Sequence, residues 1–199
     1  MTRLERLRPE RLNEEQRALY DSIAGGPRAQ GPQHFALTAP DGSLNGPFNA
    51  LLLSPPLGEA LQSVGAAVRY RTTLTPRVRE AAILLVAAAW DSAFERMAHE
   101  SVGRSVGLTE EELSALAGGS VPATIDEQEL PFLEVTQALL RGDLTDEEWE
   151  HAVARICEAA VFELSTLVGY YATLALQLRV FRVDPPERRA NTMEDHNDE

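Results

Sequence analysis

Apolar residues recur at helical spacing along most of this chain, and no stretch alternates apolar with polar over the length of a strand. The pattern predicts an all-α protein with helices near 13–24, 54–70, 76–106 in one continuous run, 110–117, 127–141, 146–158 and 159–181. Start signals agree with it. Asn13-Glu-Glu-Gln16, Thr109-Glu-Glu-Glu112, Asp126-Glu-Gln-Glu129 and Thr145-Asp-Glu-Glu148 each read as a cap followed by an acid or amide at the third helical position, and Thr75-Pro76 adds a proline-first start. Two stretches are apolar around most of their circumference: Ala81 to Trp90, and Val161 to Phe181. A helix with a solvent face carries a polar stripe, so both are expected to be covered.

Between the first two helices lies Gly25 to Gly46, rich in glycine and proline and without a sustained period. It reads as a long loop, a length that usually signals function or disorder. From Asp184 the chain turns polar and proline-broken and is expected to fray. No fixed-period repeat is evident. The expected organisation is one domain: residues 1–46 as an N-terminal helix and loop packed on the core, 47–183 as the helical core, and 184–199 as a flexible acidic tail.

The polar positions that need explaining follow the apolar run. Ser92, Glu95 and His99 stand three and four residues apart, one stripe on a helical surface at the edge of the core. A carboxylate and an imidazole meeting in a partly desolvated place suit proton transfer. Glu80 lies fifteen residues before Glu95, four turns away, so it can join them only if the helix breaks near Trp90-Asp91. The plain alternatives are a solvated Glu-x-x-x-His pair and, for Glu80, a first-turn acid complementing the helix dipole.

Composition narrows the partners. The chain has 199 residues with 31 acidic and 18 basic side chains, every basic one an arginine, and a net charge of −13. Such a surface repels nucleic-acid phosphates and anionic lipid, so neither nucleic acid nor membrane is an expected partner. The longest strongly apolar run, Ala81 to Trp90, falls short of the roughly 20 residues that span a bilayer, and no secretory leader is recognisable; cytoplasmic location is the expectation. Cys157 is the single cysteine, which removes any intrachain disulfide, redox pair or cysteine-based zinc site, and its helical context reads as a small buried apolar position. There is no HExxH, no GxSxG elbow and no P-loop, so no metal site is expected.

The run R-V-R-E-A-A-I-L-L-V-A-A-A-W-D-S-A-F-E-R-M-A-H-E-S-V-G-R-S-V-G-L-T-E-E-E-L, Arg77 to Leu113, resembles the core motif of the carboxymuconolactone decarboxylase family, which includes the alkylhydroperoxidase-D-like proteins. In that family a glutamate opens an apolar helix, a Cys-x-x-Cys or a substituted version follows twelve residues later, and a histidine lies four residues after the second cysteine position. Those places hold Glu80, Ser92, Glu95 and His99. The flanks N-G-P-F-N-A-L-L-L-S-P-P-L-G and E-L-S-T-L-V-G-Y-Y-A-T-L-A fit the longer members, and the likeness extends over about 46–183.

The resemblance implies an alkylhydroperoxidase-D-like helical bundle, a homotrimer or homohexamer, and a small-molecule substrate. It implies a cofactor-free acid/base lyase rather than a thiol peroxidase, since serine and glutamate at the cysteine places form neither disulfide nor thiolate. An antioxidant protein and a non-catalytic scaffold are the alternatives. The implied catalytic set is His99 as acid/base, Glu95 or Glu80 as its tuning partner, and Ser92 as a donor to substrate. His34 in the long loop, Arg69 and Arg71 before the motif, and Trp90 at the end of the apolar run are candidate substrate contacts. Arg77, beside them, is a further candidate for a substrate carboxylate. A solvated basic edge is the other reading of the three arginines.

Overall fold

The computed structural model describes residues 2–30, 36–183 and 185. The elements, in order, are a 3-10 turn at Pro9–Arg11, then α1 Glu14–Ala24, α2 Pro27–Gln30, α3 Phe48–Leu51, α4 Pro55–Tyr70, α5 Pro76–Ala89, α6 Ala93–Ser105, α7 Glu110–Ala117, α8 Leu130–Arg141 and α9 Asp146–Phe181. Among the described residues no strand forms; one isolated bridge joins Thr38 to Leu44 in the loop before α3. The fold is all-α, as the periodicity implies.

The helix starts follow the capping chemistry. Asn13, Thr109 and Thr145 each accept from the third helical N–H, while Gln16, Glu112 and Glu148 reach back to the cap, completing three capping boxes. Thr75 accepts from the Val78 N–H ahead of α5. Asp126 behaves differently: its carboxylate takes the Gln128 N–H at 2.7 Å in a turn, and α8 starts only at Leu130.

α5 is the central element. Residues 81 to 87 are all buried, and the helix packs against α6, α7, α8 and α9. Its main cluster gathers Val78, Ile83 and Val86 with Val68 of α4, Val135 of α8 and Leu164, Leu167 and Leu174 of α9. The opposite side of α5 meets Leu108, Leu113, Leu116 and Leu133. A separate cluster, Leu19, Ile23, Leu37, Leu44, Phe48, Leu51 and Leu52, seats α1 and the chain around α3. Leu37 and Leu44 anchor the described part of the long loop, so it packs down rather than standing free.

Two breaks set the architecture. The expected continuous helix over 76–106 divides, because Trp90 ends α5, Asp91 takes φ 47° and Ser92 is extended at φ −93°, ψ 95°. α6 therefore folds back against α5. Asp91 tolerates the left-handed region and Ser92 is a good cap residue, so the break needs no glycine or proline. α9 also bends, at Cys157, whose φ of 66° and ψ of 161° are not helical. The two helices expected at 146–158 and 159–181 meet at that residue. The expectation of a buried cysteine is corrected: the bend turns Cys157 outward, and its thiol is free and exposed. α9 is long and apolar enough by composition to cross a membrane, but half of its most apolar window is buried within the chain.

Candidate active site

The α5–α6 turn brings Glu80 to His99. Glu80 sits one turn into α5, fully buried, and α6 returns His99 beside it, so that His99 Nδ1 and Glu80 Oε2 are 2.6 Å apart. Glu95, one turn before His99 on α6, places Oε2 3.3 Å from His99 Nε2. One imidazole thus bridges two carboxylates. Glu95 and His99 are 3% and 5% exposed. The expectation of an edge-of-core stripe is corrected by these values: the groups lie inside the fold, since the break lets α6 close over them.

Burial by itself disfavours the charge on His99, but Glu80 and then Glu95 outweigh it and raise the imidazole pKa to about 9. His99 is therefore an imidazolium at neutral pH, with both N–H groups directed at carboxylates. Burial pushes the Glu80 carboxyl upward, yet the His99 charge, with Arg69 and Arg79 behind it, holds the net shift below the usual carboxylate value. Arg79 Nε lies 3.6 Å from Glu80 Oε1, longer than a hydrogen bond, and both atoms are buried without a hydrogen-bond partner.

Tyr171 of α9 closes another side. Its ring meets His99 edge-on at 5.1 Å between centroids, and Tyr170 packs edge-on against Tyr171 at the same distance. Desolvation, then the Glu80 charge, drives the Tyr171 hydroxyl pKa well above its ordinary value, so it stays protonated. Nothing in the sequence distinguishes Tyr171 from the other apolar positions of α9.

The remaining candidates separate. Ser92 is the N-cap residue of α6 instead of a member of its helical stripe; it is 8% exposed and its hydroxyl is buried without a partner. Ser92-x-x-Glu95 has the form of a capping box, the signal from which the break was readable. The box does not close in the fold, and Glu95 is turned to His99. Arg69 is half-buried, and burial, which opposes its charge, is outweighed by Tyr171 and Glu80. Arg71 is exposed. Arg77 is committed elsewhere: it pairs with buried Glu112, with Glu129 at 2.8 Å, and donates to the Gly107 carbonyl, clamping α5 to the start of α7 and to the chain before α8. It is no carboxylate receptor. Trp90 sits at the α5–α6 corner, where Arg179 lies over its ring at 5.9 Å and donates to its carbonyl. His34 lies outside the described residues. Among the described residues, no group of three or more His, Cys, Asp or Glu side chains has the arrangement of a metal site.

Three surface clefts, of about 340, 500 and 310 Å³, lie between α8 and α9, around the ends of α5 and α7, and between α1 and α4. Glu80, Glu95 and His99 line none of these three.

The stretch that builds this centre, residues 55–138, matches the carboxymuconolactone decarboxylase family. Over that stretch the chain is similar to the carboxymuconolactone decarboxylase family. The solved structures it resembles extend the likeness in shape. A peroxidase-related protein with an alkylhydroperoxidase AhpD core from Ralstonia eutropha JMP134 superposes with a TM-score of 0.72 at 13% identity, covering 94% of this chain and 93% of its own. A protein of unknown function from Agrobacterium tumefaciens gives 0.62 at 20% identity over 69% of this chain and 96% of its own. The debrominase Bmp8 in complex with 2,3,4-tribromopyrrole gives 0.67 at 12% identity over 94% of this chain and 91% of its own. At these identities the likeness is one of fold. No curated protein matches the sequence.

Proposed function

We propose that the chain is an acid/base enzyme of the carboxymuconolactone decarboxylase type, acting by decarboxylation, isomerisation or lactone chemistry on a small carboxylated or cyclic substrate. The observation that carries this reading is the imidazolium of His99 held between Glu80 and Glu95. The two bonds are unequal. Glu80, at 2.6 Å from Nδ1, orients the ring, whereas the 3.3 Å separation at Nε2 leaves that N–H the more readily transferred. In the proposed chemistry Nε2 delivers a proton to substrate and Glu95 accepts one, while Tyr171 and Ser92 offer neutral hydroxyls to a developing enolate. The sole cysteine is exposed at the α9 bend, so thiol peroxidase chemistry has no support.

A structural role is the second reading, favoured by the burial of all three charged groups. One comparison separates the two. Against a panel of carboxylated lactones and cyclic acids, followed by ultraviolet absorbance and carbon dioxide release, His99→Gln and Glu95→Gln are expected to lose about 10²–10⁴-fold in kcat while near-UV circular dichroism stays native. Folded variants that turn over an accepted substrate at the wild-type rate would leave the centre a structural ion cluster.

A further inference from the structure

Arg79 stands where a helix has little use for a cation. It is the fourth residue of α5, close to the positive end of the helix dipole, and its neighbour Glu80 projects about 100° away around the axis. Residues adjacent in sequence do not face each other on a helix, so an ion pair between them forms only when the longer side chain folds back. Arg79 does so: its side chain is 14% exposed, and its Nε comes to 3.6 Å from Glu80 Oε1. The two carboxylate oxygens thus face two cations, Oε2 with His99 Nδ1 at 2.6 Å and Oε1 with Arg79. Once Arg79 is counted with Glu80, Glu95 and His99, two negative charges meet two positive ones.

That balance is lost during the proposed chemistry. When Nε2 gives its proton to substrate, the ring is left neutral with its remaining proton on Nδ1, and Glu80 loses the charge that faced it. A fully buried carboxylate without a counter-charge takes up a proton, and Glu80 would then no longer accept from Nδ1–H. Arg69 of α4 and Arg79 both act on Glu80 by charge, but Arg79 is the one in ion-pair range. Its Nε–H and Glu80 Oε1 are buried and unbonded, a donor and an acceptor that a small approach would join.

We propose that Arg79 is a positioning residue, the counter-ion that keeps Glu80 ionised and turned to Nδ1 while His99 passes through its neutral state. It acts on the reacting Nε2 only through Glu80. Its part in turnover rests on the acid/base reading, but the test does not need turnover. The groups facing His99 are Glu80 of α5, Glu95 of α6 and Tyr171 of α9, and Arg69 and Arg79 act on Glu80 in turn. The ring is titrated through its ¹⁵N resonances. Removing a cation favours protonation, so Arg79→Gln should raise the midpoint from about 9 by roughly 0.5 pH unit or more, a gain of roughly threefold in proton affinity. Arg79→Lys, which keeps the charge, should move it less, and Arg71→Gln, which removes an exposed arginine, should leave it in place. A midpoint unmoved in Arg79→Gln, or moved as far in Arg79→Lys or Arg71→Gln, overturns the assignment. The wild type supplies a second measurement should Arg79→Gln fail to fold: the Arg79 Nε resonance should shift with the His99 midpoint, and a resonance flat across that range overturns the assignment as well. A midpoint that depends on Arg79, in a protein that turns over nothing in the panel, would remove the acid/base reading and leave this inference standing.

Discussion

His99 is the residue on which both stability and the proposed chemistry turn. Its folded pKa of about 9 lies above the ordinary value of 6.5, so folding favours the protonated ring. The sign follows by linkage: the contribution is fully present below about pH 6.5 and is lost as pH rises through about 9. Glu80 works from the other side, since its lowered pKa makes a contribution that is lost as pH falls below the ordinary carboxylate range. Wild-type unfolding free energy from urea melts should therefore fall by about 3 kcal/mol between pH 6 and pH 10, whereas His99→Gln should lose far less over the same interval. A flat alkaline profile in the wild type would mean that the ring is neutral in the fold. Truncation is a poor probe of the same residues. Removing one partner from a buried ion pair leaves an uncompensated charge at a cost of about 3–5 kcal/mol, so Glu80→Ala and His99→Ala report on folding as well as on function.

At the scale of elements, the two helix breaks matter more than the helices. The turn at Trp90-Asp91-Ser92 is what superposes the first turn of α5 on the middle of α6, and without it Glu80 and His99 would lie several turns apart on one axis. The bend at Cys157 lets the first part of α9 lie along α8 while the second runs past α5 and α4. Cysteine adopts φ 66°, ψ 161° only under strain, because that region is comfortable for glycine alone. Cys157→Gly should relieve it and raise stability by about 1 kcal/mol once the glycine's greater unfolded-state entropy is counted. Guanidinium melts of the two proteins measure the difference; a loss of stability would show that the bend is held without strain. The same substitution removes the only thiol, and catalysis by the proposed route should be unaffected.

For the whole molecule, the surface poses the remaining question. Leu57 and Val64 lie on the outer face of α4, with Leu53 in the turn before it, and Phe162, Leu176 and Val180 lie along that of α9, all substantially exposed, with Phe162 at 71%. Two apolar stripes on adjacent helices exceed what a monomer usually presents to water. We therefore expect a closed homo-oligomer, a trimer or hexamer as the family resemblance implies, that buries these stripes. Light scattering on a gel-filtration column should return a multiple of 21.8 kDa. Phe162→Glu, which places a charge where the α9 stripe is most exposed, should shift the mass toward one chain. A monomer in the wild type would refute the assembly and leave the stripes without a partner.

What the sequence determined by itself is local. Period, caps and proline positions set the starts of α1, α4, α5, α7 and α9, since those depend on neighbours within four residues, whereas α2, α3 and the starts of α6 and α8 were not read from them; the spacing of Glu80, Ser92, Glu95 and His99 was enough to place the chain by resemblance. The condition for Glu80 to join the others, a break at Trp90-Asp91, was also legible; that the break occurs is marked by no glycine or proline and only by the cap form of Ser92-x-x-Glu95, which reads equally as one stripe of a continuous helix. Only the tertiary structure decided that the charged groups are buried, that Cys157 faces solvent, that Arg77 is spent on Glu112 and Glu129, and that Tyr171 stands beside His99. Each of these depends on how helices far apart in sequence pack together. Burial, ion pairing and the pKa of an imidazole are properties of those long-range neighbours, and no period along the chain encodes them.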